Sequence, residues 1–158
     1  MDNKENSTAN KSQKYLIAFV DTENIAPDGD SGLISLIDYK YSDYCNVGIW
    51  CYGIEDSKSG SSVAWKKKCD ESHEFYKWKK VNGPREKNKV DEAIKKDIEK
   101  LLANPKFDPI YLWVIATSDG DLASAVRHIK EKRHKVLIAY TGALSKELSN
   151  LCDYTYHL

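Results

Sequence analysis

Four aspartates and an asparagine carry the chemistry this chain could perform. Asp21 ends the apolar run Leu16 to Val20, and Asn24 follows three residues later. Asp91 opens the stretch "VDEAIKKDIEKLLA", and Asp119 and Asp121 lie in "TSDGD", directly after the apolar run "IYLWVIA". Carboxylates delivered to one crevice resist joint ionisation unless a cation compensates them. Hard oxygen ligands suit Mg²⁺ or Mn²⁺ rather than zinc. An ion held by a few carboxylates, with positions left for water and phosphate oxygens, suits phosphodiester hydrolysis. Each residue alone has a plainer reading. Asp21 can end a strand in a turn, and Asn24 can hold that turn through its side chain. Ser118, Asp119 or Asp121 can cap the helix that follows. Asp91 complements a helix dipole. Glu23 reads as a solvated residue and receives no role.

The elements around these residues alternate. "YLIAFV" is a continuous apolar run of strand length, as a strand covered on both faces would show. "SGLISLIDYKYSDY" spaces Leu33, Leu36, Ile37 and Tyr41 at helical intervals. "CNVGIWCY" is a second strand, and Ser61 or Ser62 is placed to cap a helix through "VAWKKKCDES". "EFYKWKKV" alternates as a more exposed third strand, and "NGPREKNK" is a loop. Val90, Ala93, Ile94, Ile98, Leu101 and Leu102 line one side of a long helix that "NPKFDP" stops. "IYLWVIA" is the fourth strand, "LASAVRHIKEK" a helix, "KVLIAY" the fifth strand and "ALSKELSNLC" the last helix. "DYTYHL" is placed to add a short edge strand. Strands alternating with helices predict an α/β domain with a mainly parallel sheet. In such sheets ligands bind at the carboxyl ends of the strands, where Asp21, Asp119 and Asp121 fall.

Composition narrows the class. A chain of 158 residues is most simply one domain and long enough to bury a core without disulfides or zinc. Residues 1–14 read as a disordered polar tail without a signal-peptide core, and 15–158 as the single domain. No apolar run reaches the ~20 residues of a membrane helix. Cys45, Cys51, Cys69 and Cys152 show neither CxxC spacing nor metal-ligand spacing with the histidines, which points to a reducing cytoplasm. The net charge is zero but unevenly spread. Residues 1–57 hold four Lys/Arg against ten Asp/Glu, and residues 58–89 hold ten against four. The basic middle is the place for a polyanionic partner. Lys80, Arg85, Lys87 and Lys89 lead from it into Asp91 and are candidates for phosphate contacts. Trp65 and Trp78 read as core or sheet-face residues, with Trp78 pointing away from Lys77 and Lys79.

The stretches "FVDTENI", "KVDEAIKKDI", "IATSDGDLASAVRHIKEKRHKVLIAY" and "LSKELSNLCDYTYHL" together resemble the NYN domain, a PIN-like branch of metal-dependent nucleases that includes the LabA-like proteins. The resemblance spans about residues 15 to 158. It implies a three-layer α/β/α fold with a five-stranded, mainly parallel sheet ordered 3-2-1-4-5. It implies an endoribonuclease that uses Mg²⁺ or Mn²⁺ to hydrolyse single-stranded or structured RNA. Asp21, Asp91, Asp119 and Asp121 then hold the metal, Asn24 orients Asp21 or a phosphate, and Ser118 supports the motif and the substrate. A further family aspartate falls on Asp97. About 600° of helical rotation separates it from Asp91, so it ranks lower. Two departures stand out: "NKVD" lacks the family's frequent glycine before Val90, and Leu122-Ala123 replaces an aromatic and a proline.

Other readings fare worse or remain as competitors. A haloacid-dehalogenase phosphatase needs an aspartate where Glu23 stands, and a receiver domain needs one after "EFYKWKKV". A Walker loop and GxGxxG are absent. A non-catalytic RNA-binding adaptor that keeps the fold is the alternative. With no added RNA-recognition segment, a second copy or a protein partner is a source of specificity.

Overall fold

The computed structural model describes residues 13–27, 32–54, 57–72, 74–82, 89–117 and 121–158. Strand β1 (Tyr15–Asp21) is buried along nearly its whole length. β2 (Cys45–Ile54) and β4 (Ile110–Thr117) flank it, both parallel to it. β3 (Tyr76–Val81) and β5 (Lys135–Tyr140) extend the sheet outward, and β6 (Tyr154–His157) adds to β5. The order is β3-β2-β1-β4-β5-β6. The expected five-stranded order is therefore present, and the C-terminal "DYTYHL" supplies a sixth, parallel edge strand.

Helices cover both faces, because strands that are apolar on both sides need two partners. Helices α3 (Lys89–Leu102), α4 (Ala123–Glu131) and α5 (Lys146–Leu151) pack Ile94, Ile98, Val126, Ile129 and Leu148 against one face. Phe19 and Trp113 stack at the centre of that layer, ring centroids 5.8 Å apart. The other face is covered by α1 (Leu33–Ser35) and α2 (Gly60–Glu71). α1 is one short turn, Leu33–Ser35, widened into a π turn over Leu36–Lys40. Its Leu33, Leu36 and Ile37 are buried at the expected spacing. α2 (Gly60–Glu71) buries Trp65 and Cys69, and the Trp65 indole donates to the Ile25 carbonyl at 2.6 Å.

The expected caps of two helices turn out differently. Ser59 rather than Ser61 or Ser62 caps α2, accepting from the Ser62 amide at 3.3 Å. α4 begins at Ala123 after Leu122, and among the described residues no side chain caps it; Ser118 and Asp119, the other expected caps, lie outside the described residues. The expected Asp121 cap is thus not formed; its carboxylate turns to Lys95 instead. The expected tail lies outside the described residues up to residue 12. Lys14, assigned to that tail, already accepts from the Cys45 amide at 2.8 Å. Among the described residues no helix is long and apolar enough to cross a membrane.

Candidate active site

Alternation along β1 sets Ile17, Phe19 and Asp21 on the α3 face of the sheet. Asp21 is the last residue of the strand, pairs in register with Tyr52 of β2, and is only 3% exposed. The chain then turns tightly, with the Ile25 amide donating to the Asp21 carbonyl at 3.0 Å. That turn brings two donors back to the carboxylate. The Glu23 amide reaches Oδ1 at 3.0 Å, and Asn24 Nδ2 reaches Oδ2 at 2.9 Å. Asn24 therefore fixes the carboxylate's orientation. Burial nevertheless pushes the Asp21 pKa above its ordinary value, and these two hydrogen bonds oppose the shift only in part. A buried carboxylate that is reluctant to ionise is a place where a cation gains.

Asp91 sits in the first turn of α3 and is 4% exposed, flanked by buried Val90 and Ile94. One turn further, Lys95 forms an ion pair with Asp121 at 3.8 Å. Asp121 is thus tied to the α3 helix that carries Asp91, with its own side chain largely in solvent. Asp97 is engaged elsewhere. Its Oδ2 accepts from the Tyr52 hydroxyl at 2.7 Å and lies 3.4 Å from Lys79 Nζ. Burial, then the bond to Asp97, pushes the Tyr52 pKa up and keeps the phenol protonated. Lys89 is the first residue of α3 and half-buried, and Lys80 is exposed on β3. Ser118, Asp119, Arg85 and Lys87 lie outside the described residues.

The described residues therefore supply two deeply buried carboxylates, Asp21 and Asp91, and a third, exposed one at Asp121. Among the described residues no three acids, histidines or cysteines stand close enough to hold a metal ion by themselves. The donors present are hard oxygens at the carboxyl end of a parallel sheet, which fits a divalent cation of the Mg²⁺ or Mn²⁺ type.

One functional feature escapes sequence reasoning. Glu23, expected to be solvated, accepts hydrogen bonds from Ser57 (2.7 and 2.9 Å) and from Ser62 at the start of α2. Ser61 donates to the Thr22 carbonyl at 2.6 Å, and the Thr22 hydroxyl donates to the Tyr52 carbonyl at 2.8 Å. The loop after Asp21 is thereby pinned to α2 and β2. The only sequence signal is the serine cluster "DSKSGSS", which by itself reads as a loop with a cap. In β3, Lys77 and Lys79 stand over the Trp50 ring at 4.9 and 4.8 Å, while Trp78 points to the opposite face.

A parallel three-layer α/β/α domain with buried acids at the carboxyl end of its first strand and at the start of the helix before its fourth has the fold of a PIN-like nuclease. The family model for the NYN domain matches residues 16–158, and the chain belongs to that family. Nuclease chemistry that depends on a divalent metal is general in it. No curated protein matches the chain.

Proposed function

We propose that the protein is an endoribonuclease that hydrolyses RNA phosphodiester bonds with Mg²⁺ or Mn²⁺. The observation that carries the reading is Asp21: a carboxylate almost completely buried at the end of the central strand, oriented by Asn24, in a chain of a nuclease family. Asp21, Asp91, Asp119 and Asp121 are the residues that would hold the ion. When bound, such an ion supplies Lewis-acid stabilisation of charge developing on the phosphate oxygens and lowers the pKa of water.

The remaining work falls to the protein. Asn24 keeps the Asp21 carboxylate in one orientation, so no reorganisation is needed when substrate arrives. Ser118 would support the motif and the substrate, as the resemblance of "SDGD" to the family pattern implies. Lys95 holds Asp121 near α3 and tempers its charge before substrate binds. Lys80, Arg85, Lys87 and Lys89 draw the polyanion toward the carboxyl end of the sheet. Asp97 acts on position, by anchoring Tyr52 and Lys79 beside α3.

The test is cleavage of end-labelled single-stranded RNA with Mn²⁺, with Mg²⁺ and with chelator, beside Asp119→Asn and Asp21→Asn proteins. Cleavage should need metal and both aspartates. Cleavage that persists after metal is stripped would sink the reading. RNA binding without cleavage in every condition would favour an adaptor that keeps the fold.

A further inference from the structure

A cavity of about 200 Å³ opens at the carboxyl ends of β2 and β3, beside the loop that carries Asp21. Trp78, Ser57 and Ser62 line it, with Lys66 and Lys80. Val63, 56% exposed, extends its apolar wall. The walls differ in chemistry. The Trp78 indole lies over Gly53, occupying the space a side chain there would need: a Cβ on Gly53 would fall 2.2 Å from Cη2. Gly53 therefore lets the ring settle against the sheet and form one side of the cavity. Ser57 and Ser62 form a polar part whose hydroxyl protons are directed to Glu23. Ser57 Oγ also accepts from the Ser59 amide at 3.2 Å, and Ser62 Oγ lies 2.8 Å from Thr22 Oγ1, so one lone pair on each oxygen remains for a ligand. Lys66 and Lys80 are both exposed on the rim.

This combination is selective. The volume is below the ~300 Å³ at which pockets enclose drug-sized ligands, so it suits a fragment of a larger molecule. The indole and Val63 favour a flat apolar group. The serine oxygens, backed by the Glu23 carboxylate, accept hydrogen bonds and repel anions. The lysines at the rim attract phosphate. A nucleotide meets all three conditions when its base and sugar point inward and its phosphates outward. A base held in a duplex cannot present itself that way, whereas unpaired bases pack on aromatic side chains.

We propose that this cavity is a binding subsite for one unpaired nucleotide of the RNA substrate, with the base against Trp78 and the flanking phosphates on Lys66 and Lys80. The inference rests on the nuclease reading and deepens it. The subsite adjoins Asp21 through one residue, Glu23: its amide donates to Asp21, while its carboxylate accepts from the two serines of the cavity. A strand anchored there is led along the carboxyl edge of the sheet toward the buried acids. Trp78, Lys66 and Lys80 are thus positioning residues for the substrate.

The experiment separates this proposal from catalysis. Binding of a fluorescein-labelled single-stranded oligoadenylate to the full chain is followed by anisotropy in chelator over a range of salt concentrations. Trp78→Leu should weaken binding at least about five-fold while leaving the salt slope unchanged, because a base–aromatic contact is lost. Trp78→Phe, which keeps a ring and guards against misfolding of the leucine variant, should lose less. The Lys66→Ala/Lys80→Ala double variant should flatten the salt slope by about 1.4, the value for two phosphates on a single strand. Lys132→Ala, at the opposite end of the sheet, should change neither. The duplex form of the same RNA should bind without dependence on Trp78. Unchanged affinity in Trp78→Leu, an unchanged slope in the double variant, or equal dependence on Trp78 for duplex would overturn the subsite. Wild-type protein that binds in this pattern but never cleaves with metal would overturn only the nuclease reading.

Discussion

Replacing Gly53 by alanine tests the contact on which the cavity wall depends. An added Cβ would lie 2.2 Å from Trp78 Cη2, 2.5 Å from Cζ2 and 2.9 Å from Thr22 Oγ1. The threonine has little room to yield. It is fully buried, and its hydroxyl is bonded to the Tyr52 carbonyl and 2.8 Å from Ser62 Oγ. The indole must therefore move, by about 1 Å to restore ordinary van der Waals separation. Overpacking of this kind costs about 1–3 kcal/mol. In a domain of this size each kcal/mol lowers Tm by about 2–4 °C, so Gly53→Ala should melt roughly 2–12 °C below wild type. Thermal and urea denaturation of wild type, Gly53→Ala, Trp78→Leu and the double variant form a cycle. With the ring removed, the alanine should cost less than about 1 kcal/mol, and the difference is the coupling of the two positions. RNA affinity should fall with the displaced ring in the single variant. A Tm for Gly53→Ala equal to that of wild type would refute the packing argument. An equal loss in the Trp78→Leu background would move the cause from the indole to Thr22.

Three further outcomes are expected. The folded state raises the Asp21 pKa, so the stability gained from its protonated form is full below the usual carboxylate range and is lost as pH rises through the raised value. Metal-free Asp21→Asn should therefore be at least as stable as wild type at neutral pH, with the advantage shrinking in acid; a denaturant midpoint followed against pH in chelator reads this, and an advantage that grows in acid would contradict it. Asp91→Asn should lose Mn²⁺ binding by calorimetry, whereas Asp97→Asn should keep it and lose about 1.5–3 kcal/mol of stability as Tyr52 and Lys79 lose their charged partner; metal binding lost equally in both would place Asp97 among the ligands. Glu23→Gln, which replaces a charged acceptor by a neutral one, should lower stability by about 1 kcal/mol in urea unfolding, and no change would show that the serine bonds contribute nothing.

What the sequence shows and what it hides divide along separation in the chain. Strands and helices are legible because their signals are local: the apolar run before Asp21, the spacing of Ile94 and Ile98, the proline after Asn104. The bond from Asn24 to Asp21 is legible for the same reason, since a three-residue spacing after a strand closes a turn. The caps are misplaced because several serines compete within a few residues, and tertiary partners decide among them. Ser61 and Ser62 are drawn to Thr22 and Glu23 across about forty residues of chain, which leaves Ser59 to cap α2. The Asp121 cap fails similarly, because Lys95 on another helix takes its charge. Glu23 is illegible for a stronger reason. Its partners come from the far side of β2, and nothing in "DTEN" distinguishes a bonded glutamate from a solvated one. That same distance gives the network its purpose. The turn's own bonds to the carboxylate, from the Asn24 side chain and the Glu23 amide, offset the cost of burying it only in part. The ties from Glu23, Thr22 and Ser61 to neighbouring elements hold the turn against the remainder, so part of the acid's support comes from residues far from it in the chain.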